Sequence, residues 1–557
     1  MIKKLFAVAC AGLAMLSPTM AQAEKSKMQD AQPDRPKLVV GMVVDQMCWD
    51  YLYRYNARFL PDGGFRRLLD KGFNCHNTRI NYLPAVTAIG HASIYTGSVP
   101  SIHGIAGNNF FINGKPSYCT EDRSVQTVGA PNGDSGQMSP RNMLSTTVTD
   151  ELRIATNFTS RVVGVAIKDR GAILPAGHAA TAAYWFDDAS GNFVSSTYYM
   201  DELPRWAEAF NKRRLAEKYL REGWKPMYAL RSYTNSTPDA NAYEGAWGDV
   251  PATLPLDTRK LMERDGLGVI RTTPMGNDLT LDMAKAAIEG ERLGMRRDST
   301  DFLAVSLSST DYIGHRYATF SVEIEDTYLR LDKALGEFFS YLDRQYGEDG
   351  YLFFITADHA AAHNQIFKSE RKLPGRRWST TLAKEQIDSV TRVVTGRPES
   401  LLLSISNYEV YFDEHKIDEL GVDRAKLYPA VARTLEKQEG VAYAITAREV
   451  NNAGVPEEVR FRVLNGFNRH RSGAIFVVLH PGWTAGRSDK LSTGTDHSVW
   501  APYDTHIPLI FMGKNVPSGH LYREVYMTDI APTVAFLLKT QLPSGTIGKP
   551  IVELLGR

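Results

Sequence analysis

Three aspartates in this 557-residue chain stand just past short apolar runs, and two of them travel with histidines. Asp45 follows Val43-Val44. Asp311 follows Ala304-Val305-Ser306-Leu307 through Ser308-Ser309-Thr310, with His315 four residues further on, and Asp358 follows Phe354-Ile355-Thr356-Ala357 with His359 beside it. A single aspartate in such a place reads as a turn or N-cap residue; three with histidines attached read as a set of metal ligands. On a helical turn Asp311 and His315 share a face and can hold one ion. The adjacent side chains of Asp358 and His359 diverge and suit two neighbouring ions. His497, in the polar loop Thr493-Gly494-Thr495-Asp496-His497, joins the same set. Mixed carboxylate and imidazole ligands suit zinc, and two such ions about 4 Å apart clamp a phosphoryl group for in-line displacement.

A clamp needs a nucleophile and a cradle for the anion. The stretch Asn81-Tyr82-Leu83-Pro84-Ala85-Val86-Thr87-Ala88-Ile89-Gly90-His91 reads as a loop, a proline and a helix start. Thr87 at that start faces free N–H groups and the positive end of the helix dipole, which stabilise an alkoxide or a phosphate. Zinc lowers the pKa of an oxygen it touches, so Thr87 beside such an ion is a nucleophile at neutral or alkaline pH. In Val165-Ala166-Ile167-Lys168-Asp169-Arg170, the spacing of Lys168 and Arg170 after a strand predicts that both point the same way. Two converging cations match a phosphate monoester, which has one more negative oxygen than a diester.

The elements that must position these residues are legible as apolar runs over residues 37–44, 161–167, 302–307, 351–355 and 507–511, bounded like buried parallel strands. Between them a helical repeat spans 321–346, with Ile324, Tyr328, Leu331, Leu335, Phe338 and Leu342 spaced by three and four. The fold class is therefore α/β, a mostly parallel central sheet flanked by helices, whose ligand sites gather at the carboxyl ends of the strands. Two stretches leave this rhythm, about 188–300 and about 365–491. The second holds β-like runs at 400–406 and 408–412 and a helix-like stretch at 424–437. It leaves and returns between His359 and His497, which predicts an inserted cap or wall beside the metals.

The ordered set Asp45, Thr87, Asp311-x-x-x-His315, Asp358-His359 and His497 resembles the alkaline phosphatase superfamily. Pro100-Ser101-Ile102-His103-Gly104-Ile105-Ala106-Gly107-Asn108, Thr528-Asp529-Ile530-Ala531-Pro532-Thr533 and Gly548-Lys549-Pro550 are similar to its signatures. The resemblance runs from about residue 37 to the end, interrupted by the two excursions. It implies that Asp45, Thr87, Asp358 and His359 serve one zinc ion, and that Asp311, His315 and His497 serve the other. Thr87 would form a phosphothreonine intermediate that water then hydrolyses. Within the superfamily, the chain resembles the threonine-nucleophile bacterial alkaline phosphatases of the phosphate-irrepressible type, in which an Asn and a Lys-x-Arg pair hold the non-bridging oxygens. Asn108 fits the first role, with Asn109 one residue away, and Lys168 and Arg170 fit the second. The Cys/Ser-x-Pro-x-Arg frame of sulfatases is missing around Thr87. The activity implied is hydrolysis of phosphate monoesters with broad specificity and an alkaline optimum; the alternative in the same superfamily is a nucleotide pyrophosphatase or phosphodiesterase. A non-catalytic zinc protein on this scaffold would show a broken ligand set or a missing nucleophile, and neither is found.

Other residues near the motifs read as structural. His91, His103, His178, His363 and His506 are expected to be hydrogen-bonded core or loop histidines, and Trp185, Phe110 and Phe111 are core aromatics or the lining of a leaving-group pocket. Lys plus Arg number 64 against 63 Asp plus Glu, for a net charge of +1, which argues against a nucleic-acid polymer or an anionic membrane surface as partner. Residues 1–23 carry a basic start, an apolar run of about a dozen residues, too short to span a bilayer, and the small-x-small signal Ala21-Gln22-Ala23. This predicts an export signal, a periplasmic or secreted enzyme over 24–557, and no membrane attachment after cleavage. Cys10 leaves with that signal. Cys48, Cys75 and Cys119 remain without CxxC spacing and read as small buried hydrophobes, with one bridge plus a free thiol as the alternative.

Overall fold

A computed structural model describes residues 34–130, 133–296 and 299–555; the expected export signal over 1–23 lies outside them. Ten strands form the central sheet: β1 (Leu38–Val44), β2 (Phe73–Cys75), β3 (Thr127–Val128), β4 (Val162–Ala166), β5 (Ala182–Asp187), β6 (Asn192–Ser196), β7 (Asp301–Leu307), β8 (Tyr351–Thr356), β9 (Leu509–Gly513) and β10 (Gly519–Leu521), in the order β10-β2-β9-β8-β1-β7-β4-β5-β6-β3. The five middle strands β8-β1-β7-β4-β5 are all parallel. Every residue of β1, β7 and β8 is buried, as expected where helices cover both faces and the sequence reads as an unbroken apolar run.

Register does the positioning. Val44 of β1 lies opposite Leu307 of β7, and Val43 lies opposite Thr356 of β8. The chain segments leaving these three strands therefore emerge at one edge, and they carry Asp45, Asp311 and Asp358. The Asp45 amide donates to Leu307 O at 3.1 Å, and the Thr310 hydroxyl to Asp45 O at 2.5 Å. Four helices matter for the site or its support: α1 (Thr87–Thr96), α2 (Asp169–Ala176), α3 (Met275–Gly290) and α4 (Ser309–Tyr317). A fifth, α5 (Val322–Tyr346), is the long repeat expected from the sequence. Ser321 caps it by accepting from the Ile324 amide, and its apolar face is buried.

Two expectations change. The run over 507–511 is interrupted at Pro508, which has no N–H for a ladder. His506–Ile507 pair with Thr78–Arg79 in a separate small sheet, and β9 joins the central sheet antiparallel to β8 rather than parallel. The stretch 188–300 contributes directly to the core, since β6 pairs antiparallel with β5 and α3 packs against β7. The stretch 365–491 builds its own four-stranded sheet, Leu402–Ser406, Glu409–Phe412, Ile475–Leu479 and Val441–Thr446 in that order. It is backed by helices Thr380–Thr395 and Arg424–Leu435 over an apolar core that includes Trp378, Ile387, Val410, Leu427 and Val431. Cys48, Cys75 and Cys119 are free and buried, and burial pushes each thiol up to about 12. No helix among the described residues is long and apolar enough to cross a membrane.

Glu409 in the inserted sheet is a buried acid. It accepts from the Gly473 amide and, at 3.0 Å, from the Tyr411 hydroxyl, while Oε1 has no partner. Burial pushes its carboxyl from 4.5 up to about 8. Over that interval the folded protein keeps a proton the unfolded chain has released, so stability falls as pH rises. In urea unfolding at pH 5 and pH 8, wild type should lose at least about 1.4 kcal/mol more than Glu409→Gln, the worth of one pKa unit; equal losses would contradict the assignment.

Candidate active site

The strand-end residues converge as their spacing predicted. Asp45, Asp311, Asp358, His359 and His497 are buried. Asp45, Asp358 and His359 place one ligand atom each within 4.8 Å of one another, and Asp311, His359 and His497 do the same. His359 Nε2 lies 3.5 Å from Asp45 Oδ1 and 3.6 Å from Asp358 Oδ2. His315 Nε2 lies 3.1 Å from Asp311 Oδ1 across one turn of α4, and His497 Nε2 lies 3.9 Å from the same oxygen.

The outer contacts fix the imidazoles. Nδ1 of His315 is 2.9 Å from Thr495 O, Nδ1 of His359 is 3.0 Å from Ala360 O, and Nδ1 of His497 is 2.7 Å from Ala85 O. A carbonyl only accepts, so each Nδ1 carries a proton and each Nε2 is turned toward the carboxylates, the orientation of a metal-binding histidine. Asp45 Oδ1, Asp358 Oδ2 and His359 Nε2 are buried with no hydrogen-bond partner. Orphaned acceptors facing one another fit a cation, and the mixed N/O donor set fits zinc.

Electrostatics agree with the geometry. Burial, with Asp358 next, raises the Asp45 carboxyl to about 6. Burial alone would also raise Asp311, but His315 and Lys168 outweigh it and hold that carboxyl well below its ordinary range. Asp311 in turn lifts His315 to about 9 against the effect of burial. Burial lowers His359 to about 4 and, with His359 and His315 adding to it, His497 to about 3. Both rings are thus neutral across the physiological range.

Thr87 is the first residue of α1 and is buried. Lys168 Nζ reaches 3.4 Å from its Oγ1 and lies 2.6 Å from both Asp45 Oδ2 and Asp311 Oδ2. Desolvation opposes the Lys168 charge, but Asp311 and Asp45 hold its pKa above the ordinary value. Asn108 Oδ1 accepts the Ala88 amide at 2.9 Å, which fixes the Asn108 side chain beside Thr87, whereas Asn109 is exposed and its carbonyl accepts from Asn407. The structure thus distinguishes the two asparagines. Arg170 Nη1 donates to the Tyr118 hydroxyl at 2.9 Å, and that hydroxyl donates to Asp169 at 2.9 Å. Lys168 and Arg170 do not lie on strand alternation: β4 ends at Ala166, Lys168 is the N-cap of α2, and Arg170 is its second residue. Their proximity comes from the first turn of a helix.

The remaining histidines are hydrogen-bonded supports. His103 bonds Ser93 and the Ile105 amide, His178 bonds Asp150, His363 bonds Thr319, and His506 bonds His76 O. Trp185 and Phe110 are core, while Phe111 meets Tyr411 of the 365–491 stretch with ring centroids 4.7 Å apart. A cavity of about 230 Å³ opens beside His315, lined by His363, Asn364, Arg377 and Asp496.

Sequence reasoning missed one support of the strand-end cluster, Gln46, and read another, His91, only as a hydrogen-bonded structural histidine, which it is. Gln46 donates from its backbone N–H to Asp358 Oδ1 at 3.1 Å and from Nε2 to Asp311 Oδ1 at 2.6 Å, with φ at +67°. A non-glycine residue in the left-handed region beside a site is strained and held there by its surroundings. His91, one helical turn past Thr87, sits 3.4 Å from Asp358 Oδ2 and 2.8 Å from Ser306 Oγ. Adjacency to Asp45 and the four-residue spacing from Thr87 were the available signals.

Residues 39–504 match the family model described as type I phosphodiesterase / nucleotide pyrophosphatase. The chain is 48% identical over 526 residues to a protein of Myroides odoratus named calcium-transporting ATPase, covering 94% of this chain and 95% of the relative. It is 48% identical over 555 residues to alkaline phosphatase PhoV of Synechococcus elongatus, covering 98% and 99%. It is 47% identical over 527 residues to alkaline phosphatase PafA of Elizabethkingia meningoseptica, covering 94% and 95%. The crystal structure of wild-type PafA superposes with a TM-score of 0.91 at 46% identity, covering 94% of this chain and all of that one.

Gln46→Gly keeps the backbone freedom that φ requires and removes the amide bridge to Asp311. Zinc affinity, measured by competition with a chromophoric chelator, should weaken about ten- to a hundredfold; unchanged affinity would show that Gln46 does not order the ligands.

Proposed function

The chain belongs to the type I phosphodiesterase / nucleotide pyrophosphatase family, and from that premise we propose that it is an exported, two-zinc alkaline phosphatase that hydrolyses phosphate monoesters through a phosphothreonine on Thr87. The near-full-length relatives PhoV and PafA, both named alkaline phosphatases, support phosphomonoester hydrolysis as the activity. One observation carries the metal reading: three imidazoles with Nδ1 held by carbonyls turn Nε2 toward buried carboxylates, of which Asp45 Oδ1 and Asp358 Oδ2 lack hydrogen-bond partners.

In this reading Asp45, Thr87, Asp358 and His359 hold one zinc ion, and Asp311, His315 and His497 hold the other. Bound zinc would supply Lewis acidity and a charge clamp for an in-line displacement. The Thr87 oxygen forms the new bond to phosphorus as the bond to the ester oxygen breaks and the alcohol departs. The start of α1 offers its dipole to the oxygens that gain charge. Asn108 keeps Nδ2 free for a non-bridging oxygen because Oδ1 is already engaged with Ala88. Lys168 and Arg170 add two positive charges on the same side. Water then attacks phosphorus, the Thr87–phosphorus bond breaks, and inorganic phosphate leaves.

Hydrolysis of the terminal phosphate of a nucleoside triphosphate falls within the same reading, since that phosphate also presents three non-bridging oxygens. The stretch 365–491 serves as a wall beside the strand-end cluster within a catalytic domain spanning 24–557. In support, Asn407 Nδ2 donates to Asn109 O at 2.8 Å, one residue past Asn108. The signal-like pattern of residues 1–23 supports export.

The family description itself favours a second reading, a phosphodiesterase or nucleotide pyrophosphatase. Lys168→Ala and Arg170→Ala separate the two. Each removes a charge-assisted contact worth about 1.5–3 kcal/mol, so aryl monoester kcat/KM should fall about ten- to a hundredfold, with a smaller loss on an aryl diester. Equal losses on both substrates would support the diesterase.

A further inference from the structure

The Lys168 ammonium is held by more than carboxylates. Its Nζ lies 2.6 Å from Asp45 Oδ2 and from Asp311 Oδ2, and 3.4 Å from Thr87 Oγ1. The ring of Tyr312 covers the same ammonium, with Nζ 4.9 Å from the ring centroid. Asp311 and Tyr312 are consecutive residues of α4, so their side chains diverge around the helix and meet the cation from different sides. The two helices are brought together at their starts, where the amide of Lys168, the N-cap of α2, donates at 3.4 Å to the Oγ of Ser308, the N-cap of α4. Tyr312 is partly exposed, while Lys168 is buried.

The ring is itself clamped. Arg271 donates from Nη1 to the Tyr312 hydroxyl at 3.1 Å, from Nε to Asp188 Oδ1 at 2.5 Å and from Nη2 to Phe186 O at 3.2 Å. All three guanidinium nitrogens are thus engaged, and the ion pair with Asp188 answers the charge. Arg271 therefore serves as a clamp on the ring rather than as a further cation for substrate. Arg271 and Asp188 both belong to the 188–300 stretch, which in this way reaches the strand-end cluster through a single aromatic residue.

We propose that Tyr312 is a positioning residue: its ring, clamped by Arg271, keeps the Lys168 ammonium within reach of Thr87, where it meets the non-bridging oxygens of a phosphate monoester. The inference rests on the phosphatase reading above. A lysine ends in a point charge on a flexible stem, so its direction has to come from its neighbours. In the two-zinc reading Asp45 and Asp311 also serve the metals, and their negative charge is shared between those ions and Lys168. The attraction of the ring face is not shared in that way, and it is stronger where the cation is desolvated, as Lys168 is at 2% exposure. Tyr312 acts through Lys168, so its contribution disappears when that lysine is removed.

The test is a double-mutant cycle on the zinc-loaded full chain, read both as kcat/KM for an aryl phosphate monoester and as the calorimetric Kd of inorganic phosphate. Tyr312→Leu should lower kcat/KM and weaken phosphate binding about two- to thirtyfold, the range of a cation–π contact; Tyr312→Met gives the same reading should the leucine variant fail to fold. Tyr312→Phe keeps the ring and should restore most of both losses. In a Lys168→Ala background, Tyr312→Leu should cost less than about twofold further, since the two residues act as one unit. Losses that are the same in both backgrounds, or a phenylalanine variant as poor as the leucine variant, would overturn the role of the ring while leaving the phosphatase reading intact. A wild type inert on the monoester would overturn that reading and this inference with it.

Discussion

Three carboxylates forced into one buried place are the constraint around which the molecule is arranged. The parallel register of β7, β1 and β8 delivers Asp45, Asp311 and Asp358 to one sheet edge, where none has more than 3% of its surface exposed. Removing an ion from water costs several kcal/mol even after relaxation, so such a cluster persists only where positive charge answers it. Lys168 provides part of that answer, at 2.6 Å from two of the three. Formally, three carboxylates and a Thr87 alkoxide would balance two dications. Lys168 and Arg170 would then match the two charges of a phosphate monoester, a local balance invisible in the net charge of +1.

The rest of the architecture holds that cluster without filling it. Gly90 in α1 lets the helix bearing Thr87 lie against Asp358, since a Cβ there would meet the Asp358 carbonyl oxygen at 2.5 Å. Gly314 in α4 makes room for the Gln46 side chain, whose Oε1 a Cβ would meet at 1.9 Å. Carboxylates and imidazoles on helix and strand ends, oriented by carbonyls and by Gln46, form a preorganised site that needs little reorganisation when substrate arrives. Loops contribute where a rigid element cannot reach, as with His497, whose ring stacks on His359 with centroids 3.6 Å apart.

The α/β class, the strand-end aspartates and the Asp311–His315 turn were legible in the sequence because each rests on local periodicity. The long helix was legible for the same reason and begins one residue after its Ser321 cap. The direction of β9 was not, since an apolar run carries no sign of parallel or antiparallel pairing. The placement of Lys168 and Arg170 was anticipated on the wrong ground: they meet at the first turn of α2, not on a strand. Gln46 stayed hidden because its role depends on contacts with Asp311 and Asp358, residues far away in the chain. The 188–300 stretch looked irregular for a related reason, as β6 lies between β5 and the short edge strand β3, partners fixed only by the fold.

The central claim is that Asp45, Asp358 and His359 on one side, and Asp311, His315 and His497 on the other, hold a pair of zinc ions. Anomalous diffraction at the zinc edge from crystals of the metal-loaded protein tests it most directly. Two peaks about 4 Å apart, one within each group, are the predicted result. A single peak, or density outside these six residues, would contradict it.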